Sequence, residues 1–377
     1  MEQKVYLLPG PTKPCQAVLD CYGQFYGSSD LEVDAFAQDY DDAACLLREL
    51  LTIPQDSSVV MMSGEGMVGL WAGLTNTLRP GDKVLSVNFG SYGKGIGDMA
   101  AGLGADVEYF GEGDTEPLDR NKHWKQLESK IRSIQPKLVT LVHCETPSGT
   151  IVDHDLLELV GNLCDEVGCL FYVDMVSSAG GVCIDLSANK VDIALLGSQK
   201  CFSLHSDITI LVLTEKAWKV VEENKDKSGY DALLPFKNVV DPTFSGERLF
   251  PYTMNWSSIV ALKESLTQLK NEGFDKVYQR HIDVAEHCRN RITKIGLELH
   301  VEEDYCSPTV TAIKVPPTIK WEDLSSELAK KQIYFGRNYG TLAGKVFRIG
   351  HMGTQAQLHQ VNKGVDALEE ILSCGQQ

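Results

Sequence analysis

From about residue 55 onward the chain alternates short apolar runs with amphipathic stretches of helical period, and this alternation constrains the fold of its 377 residues more than any other feature. Val59–Met62, Lys83–Val87, Asp106–Phe110, Leu138–His143, Leu170–Asp174, Ile193–Leu196 and Ile208–Leu213 read as strands. Met67–Leu78, Tyr92–Leu103, His123–Ile134 and Leu156–Val167 fall between them and read as helices. A strand that returns through a helix lies parallel to its predecessor and lays that helix on a sheet face. The pattern therefore predicts an α/β fold with a mostly parallel sheet flanked by helices. After residue 255 the texture changes to long helices at Ser257–Glu272 and Asp275–Ile295. Strands at Leu297–Glu302, Thr309–Lys314 and Val346–Ile349 and helices at Trp321–Lys331 and Gln357–Leu372 follow. We expect a large α/β domain over residues 20–255 and a smaller α+β domain over 256–377 that takes in the N-terminal segment 1–19.

Composition narrows the function. Acidic residues outnumber basic ones 52 to 35, for a formal net charge of -17. A polyphosphate backbone wants a basic surface, so nucleic acid is not an expected partner. No apolar run reaches the ~18–20 residues of a membrane span, and no signal peptide is visible in Met1–Gly10. The 11 cysteines are odd in number, scattered and free of CxxC pairs, which argues against a disulfide framework and against a metal centre. The terminus Cys374-Gly375-Gln376-Gln377 matches neither a prenylation box nor a peroxisomal tripeptide. A reducing, cytoplasmic setting is the expectation.

Three motifs carry chemistry. Gly64-Glu65-Gly66-Met67-Val68-Gly69 follows a strand and opens a helix, the context in which backbone N–H groups cradle an anion. A dinucleotide site would want an acid ending the next strand, and Asp82 precedes that strand instead. An ordinary tight turn and a cup for another cofactor remain open. Asp174 ends an apolar strand, where it could pair with a protonated ring nitrogen or cap the next helix. Lys200, after Gly197-Ser198-Gln199, could be a surface lysine or a desolvated amine able to form a Schiff base.

Together the glycine-rich turn, the Asp and the Lys 26 residues later follow the order found in pyridoxal-phosphate enzymes of fold type I. Nearly the whole chain, from Leu7-Leu8-Pro9-Gly10-Pro11-Thr12 to the last helix, resembles class V aminotransferases of the alanine–glyoxylate and serine–pyruvate group. The resemblance implies that Lys200 holds the aldehyde and shuttles protons, and that Asp174 keeps the pyridine nitrogen protonated. It implies that Tyr92, in Gly90-Ser91-Tyr92-Gly93, stacks on the ring, and that Thr146 bonds the ring hydroxyl, with Gln199 beside the lysine. Arg348 matches the arginine that forks onto a substrate carboxylate, a task suited to a planar guanidinium. By itself an arginine there would be read as a surface salt-bridge residue. The resemblance further implies a homodimer with small-molecule substrates and with sites at the interface, the larger domain carrying the cofactor.

Departures from the family pattern point to one branch of it. Phosphate-binding relatives usually have a small hydroxyl residue at the position of Glu65, and a tyrosine from the neighbouring subunit at that of Phe250, in Phe250-Pro251-Tyr252-Thr253. Two unit charges about 4 Å apart cost about 4 kcal/mol at an effective dielectric near 20, and a dianion roughly doubles that. Flanked by Gly64 and Gly66, Glu65 suits the hydroxymethyl group of unphosphorylated vitamin B6. Its site motifs are similar to those of the pyridoxamine–pyruvate branch, in which Arg337 would be a second carboxylate-binding arginine. The expected reaction takes an amino group from pyridoxamine to pyruvate or glyoxylate, giving pyridoxal and L-alanine. The alternative, with Glu65 turned to solvent and backbone amides holding the phosphate, is an alanine–glyoxylate or serine–pyruvate aminotransferase using pyridoxal 5'-phosphate. Ser203-Leu204-His205-Ser206-Asp207 stands where relatives commonly carry a Pro-Gly turn, and His205 is either a substrate contact or merely exposed.

Overall fold

A computed structural model describes residues 4–374 except 115, 242, 245 and 247, so the terminal tripeptide lies outside the described residues. The expected sheet is present. Seven strands lie in the order Ser58–Ser63, Ile208–Leu213, Ile193–Gly197, Leu170–Asp174, Leu138–Val142, Lys83–Val87 and Asp106–Phe110. Ile208–Leu213 runs antiparallel to both neighbours and every other pair is parallel. The central strands Leu138–Val142, Leu170–Asp174 and Ile193–Gly197 are buried along their whole length, as a sheet covered on both faces requires.

Local chemistry explains the crossover helices. In His154–Val167, Asp153 accepts the Leu156 N–H and so caps the first turn, a contact worth ~1 kcal/mol. Leu156, Leu157, Val160, Leu163 and Cys164 recur at helical spacing and are buried, and Gly168 ends the helix at φ +79°.

Two apolar cores result. The larger gathers the sheet and its helices and also takes the inner face of Trp256–Glu272. The smaller joins Val284, Cys288 and Ile292 to Phe347, Val361 and Leu368. Val5–Leu7 pairs in parallel with Ile333–Phe335, which brings the N-terminal segment into this smaller core.

The sequence reading differs in several places, and it also lacks the helices Gln16–Tyr22 and Glu215–Glu223 and the strands Val5–Leu7 and Ile333–Phe335. Leu297–Glu302 is not a strand: it meets the free edge of Val310–Lys314 only at the bridge Leu299–Ile313, while the ladder of that strand is with Val346–Gly350. A 19-residue helix, Val33–Leu51, was not anticipated; it buries Phe36, Tyr40, Ala43, Leu47 and Leu50 and packs against Trp256–Glu272. Among the described residues no helix is long and apolar enough to cross a membrane, and no group of three ligating side chains could hold a metal ion.

Candidate active site

Loops leaving the carboxyl ends of five parallel strands supply residues to one cavity of about 220 Å³. In order along the chain they bring Glu65, Tyr92, Cys144, Asp174 and the pair Gln199–Lys200. This is where an open α/β sheet places a ligand crevice.

Asp174 is 9% exposed, and its Oδ1 accepts the Val176 N–H at 2.9 Å. Burial pushes its carboxyl up to about 6, with the Val176 N–H and the charge of Lys200 pulling back. Across the cavity the Lys200 ammonium is brought down to about 8, first by burial and then by the charge of Arg348. Its Nζ donates to the Pro9 carbonyl. Thr12 fixes the lysine backbone from the same segment: its Oγ1 donates to the Lys200 carbonyl at 2.7 Å and its N–H to that of Gln199 at 3.0 Å. Gly10 lies against the lysine at φ +92°, and a Cβ there would come within 2.5 Å of Lys200 Cδ, so only glycine fits.

Glu65 is turned inward. Its Oε2 accepts the Met67 N–H at 2.9 Å in the first turn of the helix Gly66–Thr77, and its Oε1 accepts Gln199 Nε2 at 2.6 Å. The adjoining Gly64 takes φ +137° and donates its N–H to the Asp207 carbonyl, and Gly66 leaves only 3.3 Å between a hypothetical Cβ and Val176. Tyr92 begins the helix Ser91–Gly102 and stands edge-on to Tyr339 at 6.2 Å. The Thr146 hydroxyl and Gln199 Oε1 are both buried without a hydrogen-bond partner. Unmade hydrogen bonds are costly in an interior, so the orphaned Gln199 Oε1 in the wall of this cavity fits a polar ligand, whereas Thr146 does not line the cavity.

Arg348 sits in the strand Val346–Gly350, 7% exposed, with its guanidinium 5.4 Å over the Tyr339 ring. Its Nε and Nη2 donate to the Arg337 carbonyl at 3.2 and 2.5 Å. The Arg337 side chain itself is exposed, so its contribution here is the backbone oxygen. Phe250 and Thr253 lie away from this chain's cavity. Phe250 packs edge-on against Phe36 at 4.6 Å, and the Thr253 hydroxyl donates to Asp30. His205 is exposed and stacks on Tyr22 at 4.1 Å.

Glu145 was not singled out from sequence. It is 4% exposed and accepts the N–H groups of Tyr92 and Gly93 at 3.1 and 2.6 Å, fixing the start of the Tyr92 helix. Burial raises its carboxyl to about 8. The available signal was a glutamate three residues beyond the largely apolar strand Leu138–Val142. The part played by Pro9 and Gly10 carried no local signal, because it depends on a contact across 191 residues.

Comparison with known proteins agrees with this geometry. The family model described as "Aminotransferase class-V" matches residues 5–341. The chain is 30% identical to the pyridoxamine–pyruvate transaminase of Mesorhizobium japonicum over 331 residues, covering 85% of this chain and 81% of that one. It is 29% identical to the alanine–glyoxylate aminotransferase of Oryctolagus cuniculus over 340 residues, with the same coverage of 85% and 81%. The crystal structure of an alanine–glyoxylate aminotransferase from Nostoc sp. superposes with a TM-score of 0.89 at 30% identity, over 99% of this chain and 96% of that one.

Proposed function

The chain belongs to the class V aminotransferase family, and we propose that within it this enzyme transfers the amino group of unphosphorylated pyridoxamine to pyruvate, or to the near relative glyoxylate, releasing pyridoxal and L-alanine. The observation that carries this reading is the Glu65 carboxylate. A helix N-terminus is a ready anion site, and Glu65 already occupies this one by taking the Met67 N–H. A phosphate arriving there would lose a donor and meet a charge, at a cost of several kcal/mol, roughly, before solvent screening. A hydroxymethyl group would instead donate a hydrogen bond to the carboxylate.

The other residues fit the same vitamin. Bound vitamin B6 supplies an electron-accepting ring that eases loss of a proton from the carbon next to the transferred nitrogen. Asp174, at the carboxyl end of its strand, serves to keep the ring nitrogen protonated. The unpartnered Thr146 hydroxyl serves the ring oxygen, and Tyr92 covers the ring face. Lys200, with its amine held near neutrality, takes and returns the proton. Arg348 binds the carboxylate of pyruvate as a bidentate fork, positioned by the Arg337 carbonyl, and the exposed Arg337 side chain would have to turn inward to act as a second arginine. Phe250 and Thr253 would approach the site of a neighbouring copy in a homodimer. In support, Phe25, Leu31, Met67, Trp71, Phe244 and Leu249 are large exposed apolar residues, and Met67 also lines the cavity. We place the enzyme in the cytoplasm, its described cysteines being free.

The second reading, a pyridoxal-phosphate alanine–glyoxylate or serine–pyruvate aminotransferase, is favoured by the similarity to the rabbit enzyme. It keeps the same roles for Lys200 and Asp174. Titrating ligand-stripped protein with pyridoxal and with pyridoxal phosphate, then assaying each form with pyruvate, separates the two. Tight pyridoxal binding with turnover of pyridoxamine is expected. Preferential retention of pyridoxal phosphate without pyridoxamine turnover would establish the second reading.

Lys200 also sets a pH dependence. Only the neutral amine attacks an aldehyde, and its proton leaves near pH 8 rather than at the ordinary value of a solvated lysine. The rate of pyridoxal capture by stripped enzyme, followed by absorbance, should rise with pH and level off above about 8. A rate still climbing past pH 10 would contradict the depressed amine.

A further inference from the structure

The loop from Gly336 to Lys345 joins two strands of the smaller core, Ile333–Phe335 and Val346–Gly350, yet it is fastened to the larger domain. Asn338 is 6% exposed, and its Nδ2 donates to the Pro147 carbonyl at 2.7 Å. Farther along, the Thr341 hydroxyl donates to Asp114 Oδ2 at 2.7 Å, and the same oxygen accepts the Ser91 hydroxyl at 3.1 Å. Ser91 opens the helix that carries Tyr92. One anchor thus stands on each side of Tyr339, the second at the very start of the Tyr92 helix.

Between the anchors, Tyr339 is shared by two residues of the site. Its ring meets the Tyr92 ring edge-on at 6.2 Å and has the Arg348 guanidinium 5.4 Å over its centre. Burial pulls the Arg348 guanidinium down, opposed first by Tyr339 and then by Tyr92, so both phenols stand beside the charge. The same loop holds Arg348 by its backbone as well. Gly336 exchanges N–H···O bonds with it at 2.8 Å in both directions, and the Arg337 carbonyl accepts from Nε and Nη2. An arginine side chain has many rotamers, and a fork binds a carboxylate well only when these are restricted beforehand. Arg348 grows from the smaller core, whereas Asp174, Lys200 and Tyr92 belong to the larger one. Tyr339 is where the two sets meet.

We propose that Tyr339 positions the Arg348 fork for the carboxylate of the 2-oxo acid, in register with the vitamin ring that Tyr92 covers. This rests on the reading of Arg348 as the carboxylate-binding residue, and it holds for either vitamin form. Tyr339 acts through Arg348, by aromatic contact with the cation, and the two anchors keep its ring in place.

Propionate, which has the carboxylate of pyruvate but no reactive carbonyl, probes the fork directly. It is titrated calorimetrically into the full chain loaded with whichever vitamin form binds more tightly. Tyr339→Leu should weaken propionate about fivefold and raise the KM for pyruvate by a like factor, with kcat within about twofold, because the contact serves ground and transition states alike. Tyr339→Phe keeps the ring and should lose no more than about twofold on either measure. Thr341→Val, which frees the loop from Asp114, should move both in the same direction by a smaller factor. Unchanged propionate affinity in Tyr339→Leu, an equal loss in Tyr339→Phe, a loss confined to kcat and vitamin affinity, or parental propionate binding indifferent to Arg348→Leu would each overturn the proposal. A parent that binds propionate but does not turn over pyridoxamine would instead overturn the vitamin assignment, and the propionate titrations would still decide the role of Tyr339.

Discussion

Replacing Glu65 by serine is expected to reverse the vitamin preference: pyridoxal phosphate should bind the stripped enzyme at least a hundredfold more tightly, and pyridoxamine turnover should fall by a comparable factor. A hundredfold change is about 2.7 kcal/mol, well within the repulsion between a carboxylate and a phosphate dianion even after discounting for the partial exposure of Glu65. The variant returns two donors to the phosphate, the Met67 N–H and Gln199 Nε2, both now committed to Glu65. In the ligand-free variant the serine hydroxyl can cap the helix Gly66–Thr77 and keep its stability, and on phosphate binding the Met67 N–H passes to the phosphate. Glu65→Gln, which removes charge but keeps shape, should fall between the two. Absorbance titrations with both vitamin forms make the measurement. A serine variant with the parental preference would remove Glu65 from the argument and leave the phosphate-dependent reading standing.

Asp174→Asn should lower transamination by on the order of a thousandfold, because a neutral amide cannot hold the proton on the ring nitrogen. It should also raise the melting temperature of the ligand-free protein at pH 7. The Asp174 carboxyl is raised on folding from 3.8 to about 6, so the folded state takes up a proton that the unfolded chain has released. Stability therefore declines as pH rises across that interval, by up to roughly 3 kcal/mol for a group so fully buried. Asparagine can still accept the Val176 N–H while removing this penalty. Melts of parent and variant at pH 4 and pH 7 test it: the curves should nearly coincide at pH 4 and separate by a few degrees at pH 7, with the variant higher. A variant less stable than the parent at pH 7 would mean that Asp174 is structurally favourable as an anion.

The sheet and its strand limits were legible because fully buried parallel strands must be continuous apolar runs, and the polar residue ending each run is then exceptional. Asp174 and Lys200 stood out for that reason. Val33–Leu51 was also legible, with Phe36, Tyr40, Ala43 and Leu47 at helical spacing, and was passed over because it lies outside the alternation. Leu297–Glu302 misled because its apolar–polar alternation shows strand character without showing how far it will pair, and it makes a single bridge to Val310–Lys314. The bonds from Gln199 to Glu65 and from Lys200 to Pro9 had no signature, since periodicity reports which face is buried and not what it meets. The same holds for the cradle around Tyr92, where Glu145 directly precedes Thr146 but its target N–H groups lie 52 and 53 residues away.

Those separations have a consequence for how the enzyme comes into being. The Glu65–Gln199 bond spans 134 residues and the Lys200–Pro9 bond 191. Closing such loops is entropically expensive and is achieved late, after local helices and neighbouring strands have formed. During synthesis the strand before Glu65 must wait for Ile208–Leu213 to emerge before it has a sheet partner. The pocket is thus among the last parts of the molecule to assemble, and a chain interrupted before residue 208 would possess the vitamin-facing glutamate without a place to put the vitamin.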